Sequence, residues 1–195
     1  NLTRNTDLNK CNAVVSYSSP TATDNCPGVS ATIIAGLPSG SMFDKGATTV
    51  TWKATDAAGL TKTCSFRVTV NDGQSPTITC PPDQTRGTAL NLCTATILYA
   101  NATFTDNCPG GFITKVSGPA SGSNFAQGAT NVIWKATDAA GRTSLCTMVI
   151  KVTDAQAPTI TCPSNIVTNN TPGQCNALVN YSSPVATDNC PSVTS

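Results

Sequence analysis

Histidine and glutamate are both missing from this 195-residue chain, whose ten acidic residues are all aspartate. Without histidine there is no Ser-His-Asp or Cys-His arrangement and no mixed Cys/His zinc site. No Cys-x-x-Cys pair occurs among the ten cysteines, so the tight turn that brings two zinc-bound thiolates together is also missing. Charged residues make up only 11% of the chain and the net charge is +1. That leaves no long-range field for nucleic acid or an anionic membrane. No apolar run approaches the ~20 residues that span a bilayer, and the start shows no signal-peptide pattern. Apart from alanine, strong helix formers are scarce, while threonine, serine, valine, asparagine, glycine and proline are abundant. This balance predicts β-structure with many turns.

What is present repeats. Asp-Asn-Cys-Pro occurs at Asp24–Pro27, Asp106–Pro109 and Asp188–Pro191, and Trp-Lys-Ala-Thr-Asp-Ala-Ala-Gly at Trp52–Gly59 and Trp134–Gly141. Pro-Thr-Ile-Thr-Cys-Pro occurs at Pro76–Pro81 and Pro158–Pro163, and every offset is 82 residues. A fixed period of this length means tandem copies of one folding unit. The boundaries fall at 1–73 (a repeat without its first strand), 74–156 (a complete repeat) and 157–195 (the N-terminal part of a third). Both ends fall inside a repeat, as expected of a window in a longer array. The other reading is strand donation, in which residues 158–195 of one chain complete the unit begun by residues 1–73 of the next.

Within the complete repeat, period-two alternation predicts strands at Thr77–Cys80, Cys93–Tyr99, Phe112–Ser117, Asn131–Thr137 and Ser144–Thr153. The face Cys93, Ala95, Ile97, Tyr99 recurs as Cys11, Ala13, Val15, Tyr17 and as Cys175, Ala177, Val179, Tyr181. Short strands separated by turn signals predict a small antiparallel sandwich with Trp52 or Trp134 as its core anchor. A core of this size needs staples. Four cysteines per complete repeat supply them and place the chain in an oxidising, extracellular or cell-surface location. The joints Val70–Pro76 and Val152–Pro158 are short and proline-stiffened, so successive units should lie end to end.

These motifs resemble the hyalin repeat, or HYR domain, an immunoglobulin-like module of extracellular proteins. The resemblance rests on Pro76–Pro81, the Cys93-Thr-Ala-Thr-Ile strand, Ala102–Pro109, Gly122–Thr130, Ala136–Gly141 and Cys146–Asp154. It covers the whole chain and looks most like the giant repeat proteins on bacterial surfaces. The asparagine common after the Ala-Ala-Gly turn is replaced by Leu60 or Arg142. The implied fold is all-β: tandem immunoglobulin-like β-sandwiches stapled by disulfides. Four cysteines allow three pairings, and the resemblance implies Cys80–Cys146 and Cys93–Cys108, with Cys11–Cys26 and Cys175–Cys190 in the flanking copies. In that scheme Cys64 and Cys162 pair outside the segment.

Seven aspartates recur in register: Asp24, Asp106 and Asp188; Asp56 and Asp138; Asp72 and Asp154. Asp56, Asp72, Asp138 and Asp154 are the calcium candidates, because aspartates near a joint between sandwiches can gather oxygen ligands. Against this, Asp56, Asp138, Asp24 and Asp106 can each order their own turn, and no Asp-x-Asp cluster is present. Glycosylation sequons begin at Asn1, Asn101, Asn169 and Asn180. The composition and repeats point to a non-enzymatic, secreted structural or adhesive repeat protein forming a stalk or filament. Its partners are neighbouring copies of the same repeat or chain, with glycans or cell-surface proteins as further candidates; nucleic acid and membrane embedding are excluded. The alternatives are an adhesin whose loops recognise a glycan or protein, and an enzyme's accessory stalk.

Overall fold

The computed structural model describes residues 1–190. The last five residues of the third repeat, including Pro191 of its Asp-Asn-Cys-Pro motif, lie outside the described residues. Every regular element among the described residues is a strand. In the first 73 residues these are β1 (Leu2–Asn5), β2 (Asn12–Val15), β3 (Ser30–Ala35), β4 (Ser41–Asp44), β5 (Gly46–Thr55) and β6 (Thr61–Asn71). The next period holds β7 (Thr77–Thr79), β8 (Gln84–Gly87), β9 (Thr94–Thr96), β10 (Thr103–Thr105), β11 (Phe112–Ser117), β12 (Asn124–Ala126), β13 (Gly128–Thr137) and β14 (Thr143–Thr153). Two short strands follow, β15 (Thr159–Thr161) and β16 (Val185–Thr187).

Contacts gather into two compact units, neither of which coincides with one sequence repeat. One comprises Asn1–Thr79, Ala102–Thr114 and Trp134–Cys146; the other comprises Cys80–Asn101, Lys115–Ile133 and the residues from Thr147 onward. In the first unit a four-stranded sheet, ordered β1-β6-β5-β3, faces the β2-β4 pair. Alternation on β2, β4, β5 and β6 sends Ala13, Val15, Phe43, Val50, Val68 and Val70 into the space between the sheets. The ring of Tyr17 packs edge-on to Phe66 at 4.9 Å, and its hydroxyl donates to the carbonyl of Leu37. Ala95, Ile97, Phe125, Val132, Ile150 and Val152 are buried 82 residues further on, in the same register. The period is therefore a period of core positions.

The all-β class follows from the sequence as expected, with Phe112–Ser117 in place and the fourth and last strands extended toward their N-termini. Three features differ. First, the sheets are not purely antiparallel: β1 pairs parallel to β6, and β8 pairs parallel to β14. The β8 residues Gln84-Thr-Arg-Gly show no apolar alternation and are held by backbone pairing, helped by Val149 N–H donating to Asp83 Oδ1 at 2.7 Å. Second, β10 and β12 are three-residue strands in stretches where the alternation predicts no strand.

Third, the recurring face at Cys175, Ala177, Val179 and Tyr181 forms no strand, and Tyr181 is 73% exposed. In the preceding copy the corresponding strand β9 is held by pairing with β12. Trp52 and Trp134 differ too, the second being 1% exposed and the first only half-buried. Segment 21–23 and Cys64 line an open groove beside Trp52, whereas its counterpart β10 is paired with β7.

Candidate functional site

The chain concentrates its polar construction where one sequence repeat meets the next. A turn closes at Asp7–Lys10, with Lys10 N–H donating to Asp7 O at 3.0 Å and Asn9 in the left-handed region at φ 59°. Asparagine tolerates that conformation better than other side-chain-bearing residues. Gln74, from the joint, grips this turn with both ends of its amide. Its Oε1 accepts from Asn9 N–H at 2.9 Å, and its Nε2 donates to Asp7 O at 3.1 Å. The turn then presents the Lys10 carbonyl to Asn107 of the following repeat, whose Nδ2 donates to it at 2.8 Å. Asp106 Oδ2 accepts from Cys108 N–H at 3.0 Å and fixes the Asp-Asn-Cys turn.

This placement decides the disulfide. Cys11 bonds to Cys108, with Cα atoms 4.8 Å apart and a sequence separation of 97. The second unit repeats the device: Asn91 N–H donates to Gln156 Oε1 at 2.8 Å, Asn189 Nδ2 to Leu92 O at 2.8 Å, and Cys190 N–H to Asp188 Oδ1 at 3.0 Å. Cys93 bonds to Cys190, again across 97 residues and 4.8 Å. The pairings Cys11–Cys26, Cys93–Cys108 and Cys175–Cys190 are therefore corrected. In each bond the second cysteine comes from the following repeat, because the asparagine before it docks on the carbonyl next to the first. Cys26 and Cys175 join Cys64 and Cys162 as exposed free thiols. Cys80 and Cys146 are also disulfide-bonded.

The same seam gathers carboxylates. Asp72 leaves β6, Asp106 begins the docked turn, and Asp138 follows β13; one oxygen from each lies within 4.8 Å of the others. Asp72 is 3% exposed and Asp138 2%. Each carboxylate gives one oxygen to the backbone: Asp72 Oδ1 accepts from Gln74 N–H at 3.2 Å, and Asp106 Oδ2 from Cys108 N–H. Asp138 Oδ1 accepts from Ala140 and Arg142 N–H at 2.8 and 2.7 Å. The other oxygen in each, Asp72 Oδ2, Asp106 Oδ1 and Asp138 Oδ2, is buried without a hydrogen-bond partner.

Two cations stand nearby. Lys45 Nζ is 3.9 Å from Asp72 Oδ2, and Arg142 Nη1 donates to the Asp72 backbone carbonyl. Of the calcium candidates, the structure brings together Asp72 and Asp138, joined by Asp106, which the sequence reading placed in a turn. Asp56 lies instead with Asp24 along one shallow surface pocket, and Asp154 is exposed. Asn1, Asn101, Asn169 and Asn180 are all exposed, as glycan attachment requires. No helix among the described residues is long and apolar enough to cross a membrane.

The HYR domain family model matches residues 1–70 and again 71–152. The chain belongs to the HYR domain family. Hyalin from Lytechinus variegatus is 30% identical over 192 residues, covering 96% of this chain and 36% of that protein. Hyalin from Strongylocentrotus purpuratus is 33% identical over 201 residues, covering 96% of this chain and 16% of that protein. This HYR segment thus spans well under half of either relative. Neither organism is a bacterium, so these relatives lend the bacterial resemblance no support. Among solved structures, protocadherin gamma B2 extracellular cadherin domains 3–6 align with a TM-score of 0.40 at 14% identity, covering 97% of this chain and 55% of that one. Human CDH23 EC21–23 aligns with a TM-score of 0.38 at 15% identity, covering 97% and 84%.

Proposed function

We propose that this HYR segment is part of an extracellular, non-enzymatic adhesive and structural array in which each repeat is covalently tied to the next. The observation that carries this reading is the 97-residue disulfide spacing, found twice in the same register. A cross-link from one copy to the following copy holds the seam closed when the chain is pulled. Within-repeat bonds would leave the joint peptide as the single covalent link between copies. Family membership and the disulfide content support secretion.

The repeats run 1–73, 74–156 and 157–195 in this scheme, and Cys80 pairs with Cys146. In an array of such copies, Cys26 occupies the position that bonds to a preceding repeat, while Cys64, the counterpart of Cys146, pairs within its own repeat. Cys175 occupies the position that bonds to a following repeat, and Cys162, the counterpart of Cys80, pairs within its own repeat. Neighbouring copies of the repeat are the first partners, and a filament or stalk is the assembled form.

Electron microscopy of an oxidised multi-repeat protein tests this. Uniform fibres or rods that collapse into flexible chains on reduction are the expected result. Unchanged particles after reduction refute the covalent seam as the stiffening device. Discrete particles that capture glycans through their loops would favour the adhesin reading instead.

A further inference from the structure

We propose that Asp72, Asp106 and Asp138 form a binding site for a hard divalent cation of the calcium class. The inference goes beyond the adhesive reading and does not depend on it. Turn formation and cation binding use different atoms here. The backbone N–H groups of Gln74, Cys108, Ala140 and Arg142 hold one oxygen of each carboxylate, which orients the remaining oxygens. Those remaining oxygens are buried without hydrogen-bond partners. A buried carboxylate oxygen in that state is costly and calls for a counter-charge.

Lys45 approaches one of the three at 3.9 Å and Arg142 binds the Asp72 backbone carbonyl, so even with both cations counted against three carboxylates the cluster stays net negative. A cation with oxygen ligands at about 2.4 Å separates opposite ligands by about 4.8 Å, and one oxygen from each of the three carboxylates lies within 4.8 Å of the others. The adjacent side-chain oxygen of Asn107 is also buried without a partner. Three carboxylates from separate segments with water completing the shell suit calcium's flexible geometry better than the strict octahedron of magnesium. Neither histidine nor a free thiol is among the three ligands, which disfavours zinc.

The ligands come from two sequence repeats, Asp72 from one and Asp106 and Asp138 from the next. Such an ion would therefore clamp the seam that the Cys11–Cys108 bond closes covalently. The register forecasts one site per complete seam. Asp154 and Asp188 hold their Gln156 and Cys190 N–H groups in the same way at the following one.

The test uses the oxidised chain stripped with a chelator, then titrated with calcium chloride or magnesium chloride at constant ionic strength. Calorimetric binding and the melting midpoint are the readouts. Calcium should bind and raise the midpoint with the occupancy expected for ligand linkage. D138N should weaken binding tenfold or more, because Asn keeps an oxygen for the turn but removes the charge; D72N should do the same. D44N, at an exposed residue outside the cluster, should leave it unchanged. Should D138N fail to fold, D106N at the half-buried ligand decides the matter. No response of the parent chain to calcium at about 10 mM, beyond the weakest extracellular sites, overturns the proposal. So does an equal response to magnesium, or a full calcium response in D138N.

Discussion

Replacing Cys108 by alanine distinguishes a seam between repeats from a staple within one. Closing a loop of roughly 100 residues is worth about 4.7 kcal/mol in the chain-entropy model, against about 3 kcal/mol for a 15-residue loop. Other disulfides already constrain the unfolded chain, so the first figure is an upper value. It remains a large share of the 5–15 kcal/mol that holds a typical domain folded. C11A and C108A should each lower the guanidinium midpoint by a similar amount. The C11A/C108A double variant should cost little more than either alone, since both remove one bond. C26A should be nearly silent, because Cys26 is an exposed free thiol.

A direct map needs no stability model. Trypsin releases Cys11–Lys45, Gly87–Lys115 and Val152–Ser195 as separate peptides from this sequence. Cys11–Cys108 and Cys93–Cys190 join all three into one species, which mass spectrometry of a non-reduced, alkylated digest should find. Pairing within repeats would leave three unlinked peptides with internal bridges. Finding those, or a C26A variant as unstable as C11A, would refute the seam.

Four thiols, Cys26, Cys64, Cys162 and Cys175, should react with maleimide in the folded oxidised chain, and peptide mapping should locate label at no other cysteine. Gly36 has φ +84°, and an added Cβ would sit 2.7 Å from Thr49 O and 2.8 Å from the Val50 Cα, so G36A should cost clearly more than the ~1–2 kcal/mol of a left-handed alanine. G40A has the same hand of φ with open space around it and should cost only that penalty in the same denaturation assay. W134A should cost about 3–5 kcal/mol, and W52A less, because only Trp134 is fully buried. Burial lifts the Tyr17 phenol above its ordinary 10.0. Its contribution is thus complete below the unfolded value and lost as pH rises through the folded one, so alkylated Y17F should lose less stability above pH 10 than the parent chain.

The core was legible because its signal is local. Alternation in Asn12–Val15 or Thr143–Thr153 specifies a face, and the period copies that face from Ala13 to Ala95 and from Val68 to Ile150. The short strands β8, β10 and β12 were not legible, since Gln84-Thr-Arg-Gly and Thr-Phe-Thr carry too little alternation to mark a sheet. Their pairing is supplied by neighbours distant in sequence. Parallel pairing of β8 with β14 likewise depends on where the chain crosses over, which composition does not encode.

The disulfides and the carboxylates failed to show for a different reason, one specific to repeats. In a strictly periodic chain, a spacing identifies a partner only up to one whole period. Cys26 and Cys108 sit in the same Asp-Asn-Cys-Pro motif, and no local feature tells Cys11 which copy to take. The docking of Asn107 on the Lys10 carbonyl makes that choice, and it is a contact between copies. Asp72, Asp106 and Asp138 follow the same rule: within any one copy the equivalent aspartates look scattered, and they converge only when two copies are taken together. Seams should therefore hold the chemistry of such arrays, while each copy alone supplies a core. A single excised repeat should keep its sheets but lose both the cross-link and the three-carboxylate cluster.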